Sequence, residues 1–556
     1  MLPANPAQTG FREIVMALRT YPPASQAYAY PLTVKCLLAA SRQSAGQRTI
    51  SYRSEMRYDY TTFLQRVARL ANLLTAHGIG KGDVVAVMDW DSHRYLECYF
   101  AIPMIGAVLQ TVNVRLAPAQ IAYTLADTGA RAVLFHRDFV PLVSVLPLDG
   151  VDVRIAMMEG EPCTMPGVIG EYETLMAQAS PIYAFEDIDE NAIATAFHTT
   201  GTVGDPKMVA FTHRQIVLHT LGVAAGFAAR PAAECLRSED VYMPLTPMFH
   251  VHAWGMPYVA TMVGAQQVYP GRYEPDRIIA LQKSEGVGFS HCVPTILQMI
   301  LAAAEAQDVL FENWAMVIGG ARLSPLLHKA AKARGIHTFA GYGMSETCPI
   351  ISTAHALDNQ TADEQVAARV AAGYPAPLVE TAVADLETGE IRPGIPGYGE
   401  LVVRAPWLTQ SYPNKPEASE ALWQGGWLHT QDVATIAPDG RIEIVDRLKD
   451  VIKSGGEWVS TGTLEELSLK HPHVAEVAFV GVPDEKWGER PGAAIVLKPG
   501  AGHLDCAQLQ EHLMPSVSAG VISRYALPVA VKVVEALPRT SVGKIDKKAI
   551  RSWLAV

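Results

Sequence analysis

Residues 198–207, His-Thr-Thr-Gly-Thr-Val-Gly-Asp-Pro-Lys, combine three hydroxyl side chains, two glycines and a lysine in ten positions. They follow the apolar-leaning run Ala192–Phe197, which reads as a strand. Glycine lets backbone N–H groups come close to an anion, hydroxyls add donors, and lysine adds a point charge. Such a loop is suited to phosphate, with a Gly/Thr/Pro-rich surface turn as the plain alternative. It is not a Walker A loop, because Gly201 and Gly204 are too close together and Met208 follows Lys207 where that loop has Ser or Thr.

Further stretches carry groups that could act with it. Gly341-Tyr342-Gly343-Met344-Ser345-Glu346-Thr347 places an aromatic ring, flexible glycines and a carboxylate in one short loop. Tyr342 could stack on a base there, and Glu346 could hold Mg²⁺ through oxygen. Asp432, after Gln431, could accept hydrogen bonds from ribose hydroxyls. Arg447 stands in the charged run 446–450, and Lys453-Ser454-Gly455-Gly456-Glu457 is a second glycine loop. Near the C-terminus, Pro538-Arg539-Thr540-Ser541-Val542-Gly543-Lys544 puts a lysine in a turn-rich stretch. Each alone reads as a turn, a cap or a solvated charge, and it is their joint occurrence that points to nucleotide chemistry.

The elements that must position these groups alternate in type. The spacing of Phe63, Val67, Leu70, Leu73 and Leu74 predicts a helix ended by Gly78 and Gly80, followed by a buried strand at 83–88. Asp91 and Ser92 can cap the next helix, 107–112 reads as a strand, Pro118 opens a helix, and 131–135 is another strand. After the phosphate loop come a helix from Arg214, a strand at 241–245, a helix around 254–263 and a strand ending in Gly319-Gly320-Ala321. Such alternation implies parallel sheets covered by helices. From about Thr381 the texture shifts to short strands rich in Gly and Pro, and the last hundred residues carry a pattern of their own. The first fifty residues read as irregular. The expectation is an α/β chain: a large N-terminal body of parallel sheets plus a small β subdomain, and a small mobile α+β C-terminal domain. The boundary is placed between 1–446 and 447–556.

Composition narrows the classes. The chain has 556 residues, 49% apolar and 18% charged, which suits a globular enzyme and argues against disorder. A net charge of −11 argues against bulk nucleic-acid binding. The seven cysteines are scattered without metal-ligand spacing, so free thiols in a reducing compartment are expected, with no structural zinc. No secretory signal and no apolar run of membrane-spanning length is evident, and the expected location is the cytoplasm.

From about Tyr52 to Lys548 the chain resembles the adenylate-forming superfamily: acyl-CoA synthetases, peptide-synthetase adenylation domains and firefly luciferase. The superfamily's phosphate loop, T-[ST]-G-[ST]-T-G-x-P-K-G, maps onto Thr199 to Met208. Its tyrosine signature maps onto Tyr342 to Glu346, its ribose aspartate onto Asp432, its hinge arginine onto Arg447 and its catalytic lysine onto Lys544. The stretches 248–255 and 483–489 look most like medium-chain fatty-acid and related carboxylate CoA ligases.

The resemblance implies a carboxylate attacking the α-phosphorus of ATP to give acyl-AMP and pyrophosphate, after which a thiol displaces AMP. It implies that Thr199, Thr200, Gly201, Thr202, Gly204 and Lys207 hold phosphates, and that Glu346 with Thr200 holds Mg²⁺. Gly320, Ala321, Gly341, Tyr342, Gly343, Met344, Ser345, Asp432 and Arg447 would contact the nucleotide. Lys453, Gly455 and Gly456 would serve the CoA path. Lys544, Glu346 and His250 would act at the reacting centre, and rotation about Lys449 would separate the half-reactions. His250, Trp254, Gly319 and Met344 would line the acyl pocket, although Trp254 and Met344 equally suit a core, His250 equally suits a satisfied buried histidine, and Gly455-Gly456 suits a plain turn nearly as well.

Three positions depart from the superfamily pattern. Val203 replaces a hydroxyl residue, Met208 replaces a glycine, and Gln431 stands where glycine commonly precedes the aspartate. The expected activity is an ATP-dependent acyl-CoA synthetase using CoA and a short- to medium-chain apolar acid, as a homodimer. The alternatives are a ligase loading an acyl carrier protein, or a nucleotide-binding homologue with weakened catalysis. A luciferase-like oxygenase rests on fold alone.

Overall fold

The computed structural model describes residues 21–43, 48–199, 206–229, 234–357, 359–454, 457–539 and 545–554. Residues up to Pro31 form one compact unit and Leu32–Val556 another. In the first, Ala27 N–H donates to Ala24 O at 2.9 Å, and Tyr28 meets Tyr30 edge-on at 5.5 Å.

In the second unit, two large sheets carry the body. One has seven described strands in the order 170–171, 153–157, 130–136, 84–88, 108–111, 193–198, 208–212. All its pairings are parallel except the last, where Ile193–His198 and Met208–Thr212 form an antiparallel hairpin. The other has nine described strands in the order 374–375, 350–353, 336–343, 314–318, 289–292, 241–245, 266–269, 49–52, 56–59. Its middle is parallel and both ends are antiparallel. Central strands such as Val84–Met88 and Trp314–Ile318 are apolar at every position, as sheets covered on both faces require.

Local signals set the helices on these sheets. Helix Tyr60–Ala76 begins where Asp59 accepts from Thr62 N–H at 2.7 Å, and its apolar stripe is buried. Ser92 caps His93–Met104 through Tyr95 N–H at 3.1 Å. Thr212 and Gln215 form a capping box at the start of His213–Ala228.

An antiparallel sheet of five described strands follows, in the order 391–393, 380–384, 397–404, 428–436, 442–447. The last portion has its own sheet of 457–459, 452–454, 488–497 and 474–484, with 530–533 pairing parallel to 488–497. It also has its own core around Ile452, Leu464, Phe479, Ile495 and Leu509.

Two expectations need correction. Part of the first fifty residues is regular: Val34–Leu38 is a 3₁₀ turn, Ala39–Gln43 a short helix, and Thr49–Tyr52 a strand. That strand pairs parallel with Gln266–Tyr269, a partner so distant along the chain that local periodicity cannot reveal it. The helix expected around 254–263 begins only at Met256. Before it, Val251, His252, Ala253 and Trp254 have φ of 48°, 55°, 48° and 58°, a left-handed turn of four non-glycine residues. Such backbone costs roughly 1–2 kcal/mol per residue. Burial of all four side chains, none more than 5% exposed, holds it in place.

Candidate active site

The tip of the Ile193–His198/Met208–Thr212 hairpin is the phosphate-type loop. Its stem is closed by Thr199 N–H donating to Lys207 O at 2.8 Å and by Lys207 N–H donating to Thr199 Oγ1 at 3.4 Å. Thr200, Gly201, Thr202, Val203 and Gly204 lie outside the described residues. Met208 is extended and pairs with His198 across the hairpin. A glycine's freedom is therefore not needed at 208, and this departure costs the loop no strain. His198 is tied to Asp127 by Nε2···Oδ2 at 3.0 Å, which anchors the stem to helix Pro118–Thr128.

Tyr412, not among the expected groups, joins two of them. Its hydroxyl donates to Glu346 Oε1 at 2.6 Å, and Lys207 Nζ lies 4.7 Å from its ring centroid. Burial and the Glu346 carboxylate push the phenol upward, so it remains the donor. Glu346 itself is 7% exposed. The segment bearing Tyr412 is pinned to both neighbours: Gln215 Nε2 donates to Leu408 O at 2.6 Å, and Thr409 N–H to Glu346 O at 3.0 Å. The signal in the sequence is slight, an aromatic before Pro413-Asn414, with no spacing that ties it to residue 346 or 207.

A second polar cluster surrounds Asp432, which is 2% exposed. Tyr342 Oη donates to its Oδ2 at 2.5 Å, and Arg447 Nε lies 2.7 Å from its Oδ1. Asp432 and Arg447 face one another across adjacent strands. Burial and Asp432 raise the Tyr342 phenol well above its ordinary value. Gln431 takes φ 59°, which explains why glycine suits this position. Its strain is compensated by Glu400 Oε1, which accepts from Gln431 N–H at 2.9 Å and from its Nε2 at 3.0 Å.

The stretch expected as a loop instead ends strand Ile336–Gly343 and turns through a 3₁₀ segment at Ser345–Thr347, and its glycines are set by close approach. A Cβ at Gly343 would lie 1.7 Å from Pro349 O, and one at Gly341 would lie 2.7 Å from Val317 Cγ1. Met344 and Ser345 precede Glu346, and Met344 and Tyr342 both pack against the main core. Across from Gly341, a Cβ at Gly319 would come 2.8 Å from Gly341 O and 3.0 Å from Trp254 Cη2. Trp254 is 5% exposed, with its ring 5.2 Å from that of His291. The strained turn thus lays the indole against Gly319 and Gly320, the latter with φ 74°. His250 precedes the turn, half-buried, its N–H donating to Pro247 O at 2.8 Å. Ala321 is exposed.

The remaining expected groups lie in the C-terminal portion. Lys453 is on strand Ile452–Ser454, with Nζ 4.9 Å from the Trp458 ring centroid and 4.0 Å from Glu387. Lys449 is exposed, and its carbonyl accepts from Arg551 at 3.1 Å. Gly455, Gly456 and Lys544 lie outside the described residues. The stretch holding Lys544 is closed at its base by an Arg539–Ile545 bridge and by Asp546 N–H donating to Pro538 O at 2.8 Å. Among the described residues, no helix is long and apolar enough to cross a membrane.

The family model for an AMP-binding enzyme matches residues 38–413, and that for the AMP-binding enzyme C-terminal domain matches 463–544. The chain belongs to the AMP-binding enzyme family. Among curated relatives, a long-chain-fatty-acid–CoA ligase of Thermus thermophilus is 37% identical, over 89% of this chain and 90% of that protein. A medium-chain-fatty-acid–CoA ligase of Ectopseudomonas oleovorans is 33% identical, over 87% and 88%. Among solved structures, a Mycobacterium tuberculosis fatty acyl CoA synthetase superposes with a TM-score of 0.70 at 26% identity, covering 94% of this chain and 98% of that one. An anthranilate CoA ligase bound to anthranoyl-AMP reaches 0.81 at 22% identity, with 94% and 98% covered, a likeness of fold.

Proposed function

We propose that this AMP-binding enzyme is an AMP-forming acyl-CoA synthetase acting on a fatty or similarly apolar carboxylate of short to medium length, in the cytoplasm. The observation that carries the reading is the convergence of Lys207 and Glu346 on Tyr412, inside a fold whose relatives are named acyl-CoA ligases.

The chemistry asks for such a cluster. Acyl-AMP formation brings a carboxylate, already ionised at neutral pH, against a polyphosphate. At a few Å that repulsion amounts to several kcal/mol unless cations offset it. We assign Lys207 and the loop 199–204 to the phosphates, Tyr342 to the base, and Asp432 with Arg447 to the ribose. Magnesium sites on nucleotides typically use one or two protein carboxylates, with phosphate oxygens and water filling the rest. Glu346, half-committed to Tyr412, fits that donor set with Thr200; when bound, the ion neutralises phosphate charge. Lys544 would bridge the two reacting anions. The boundary between 1–446 and 447–556, with Lys449 as the pivot, would let Lys544 withdraw and the Lys453–Gly456 loop face CoA.

The acyl wall is assigned to His250, Trp254, Gly319 and Met344. Its test is local. Gly319→Ala is expected to destabilise the chain by about 1–3 kcal/mol through overpacking. It should raise KM for the acid more than KM for ATP, as read by denaturant melts and steady-state kinetics. An equal rise in both constants would remove Gly319 from the acyl wall.

The whole reading is tested by thioester formation across straight-chain acids of increasing length, each offered free CoA or a phosphopantetheinylated carrier protein. Turnover with CoA that peaks at short to medium chains is the expected result. Turnover with the carrier alone would favour the carrier-loading alternative, and a peak at long chains would overturn the assigned length.

A further inference from the structure

Helix Thr461–Ser468 begins beside the last strand before the pivot. Thr461 is fully buried, and its N–H and Oγ1 both donate to Asp446 Oδ2 at 2.6 Å. An acceptor carboxylate at a helix N-terminus takes up amide hydrogens that have no partner within the helix. Lys547 Nζ in turn donates to Thr461 Oγ1 at 2.5 Å and pairs with Glu465 Oε1 at 2.8 Å. Asp446 precedes Lys449 in the chain, while Thr461, Glu465 and Lys547 follow it. The Thr461–Asp446 bonds therefore span the pivot. Beside them Ser460 Oγ donates to Val445 O at 3.0 Å, and Arg322 pairs with Glu466 at 3.0 Å.

On the far side of the pivot, Arg551 donates to Lys449 O and to Asp450 Oδ1, each at 3.1 Å. Lys547 and Arg551 share the helix Lys547–Leu554. That helix begins three residues past Lys544, so the segment carrying Lys544 continues directly into the contacts at the pivot.

We propose that Asp446, Thr461 and Lys547 form a latch across the pivot that sets how the enzyme divides its time between the two half-reactions. The proposal rests on the reading of Lys449 as the pivot. These are positioning residues, acting on where Lys544 and the CoA loop stand. A contact made in only one of two arrangements stabilises that arrangement alone, so its loss moves population to the other. The two half-reactions then change in opposite senses.

The test measures both half-reactions in the full-length enzyme: acyl-AMP formation in one turnover without CoA, and thioester formation from supplied acyl-AMP with CoA. Loss of a hydrogen bond to a charged group predicts a change of about tenfold or more in the ratio of the two rates. Thr461→Val and Lys547→Met should move that ratio in the same direction, and Thr461→Ser should restore it. Both rates falling together, or an unmoved ratio, would overturn the latch. Lys449→Pro serves as the reference. If it moves the ratio while Thr461→Val does not, only the latch is wrong. If it moves neither rate, the pivot assignment fails and the latch with it.

Discussion

Glu346→Gln is expected to slow acyl-AMP formation by about 10²–10³-fold, the usual cost of removing one electrostatic element aimed at transition-state charge. The substitution keeps the volume and can still accept from Tyr412, but it takes away the negative charge that we propose meets a nucleotide-bound cation. Thioester formation from supplied acyl-AMP should change far less, because the polyphosphate has then departed. Tyr412→Phe removes only the hydroxyl that donates to Glu346 at 2.6 Å and leaves the ring under Lys207. Its expected cost is about tenfold, in line with one hydrogen bond to a charged group. Pyrophosphate release over a Mg²⁺ titration checks both, with the midpoint raised in Glu346→Gln. An unchanged rate in Glu346→Gln would remove this carboxylate from the reaction.

Stability is expected to fall steeply in mild acid. His219, His252 and His291 are at most 1% exposed, and burial pushes each down to about 3. Below the unfolded value of about 6.5, the unfolded chain takes up three protons that the native chain refuses. Each such group contributes about 1.4 kcal/mol per pH unit, so the three together remove about 4 kcal/mol per unit between roughly pH 6 and pH 4. His429 runs the other way. Its hydrogen bond to Glu400 raises it, so the stability it adds is complete below about 6.5 and is lost as pH climbs past the raised value. The buried Asp91 carboxyl, raised to about 8, also opposes the acid loss, while His213 and His328, lowered to about 4 by burial, add to it, so the acid side dominates. Chemical denaturation at a series of pH values reads the slope. His252→Phe, placed in a setting already made of Tyr99, Phe197, Phe211 and Tyr258, should reduce it by about 1.4 kcal/mol per pH unit. A stability flat from pH 7 to pH 5 would contradict this.

Much of the fold was legible because parallel sheets write themselves locally. Runs such as Val241–Leu245 are apolar at nearly every position; Ser92 marks a helix start by accepting from a free amide, and Pro118 marks one by its preset φ and missing N–H. Thr49–Tyr52 was not legible, since only its distant partner Gln266–Tyr269 makes it a strand. The left-handed turn at 251–254 was hidden for a related reason. Nothing in Val-His-Ala-Trp favours positive φ, and only the surrounding burial imposes it. Among candidate site residues, Lys207 and Glu346 stood out as charges in glycine-containing stretches, and Asp432 by its match to the superfamily's ribose aspartate. Tyr412 did not, because its partners converge on it only in three dimensions. Two of the three departures separate once their backbone is known: Met208 is ordinary strand and Gln431 carries strain offset by Glu400, while Val203 lies outside the described residues.

The most direct test is a product balance in one reaction containing the full-length enzyme, ATP, Mg²⁺, a medium-chain fatty acid and CoA. Mass spectrometry should find acyl-CoA, AMP and pyrophosphate in equal amounts, with none formed when the acid is left out. ADP with inorganic phosphate, or acyl-AMP accumulating without a CoA thioester, would contradict an AMP-forming acyl-CoA synthetase.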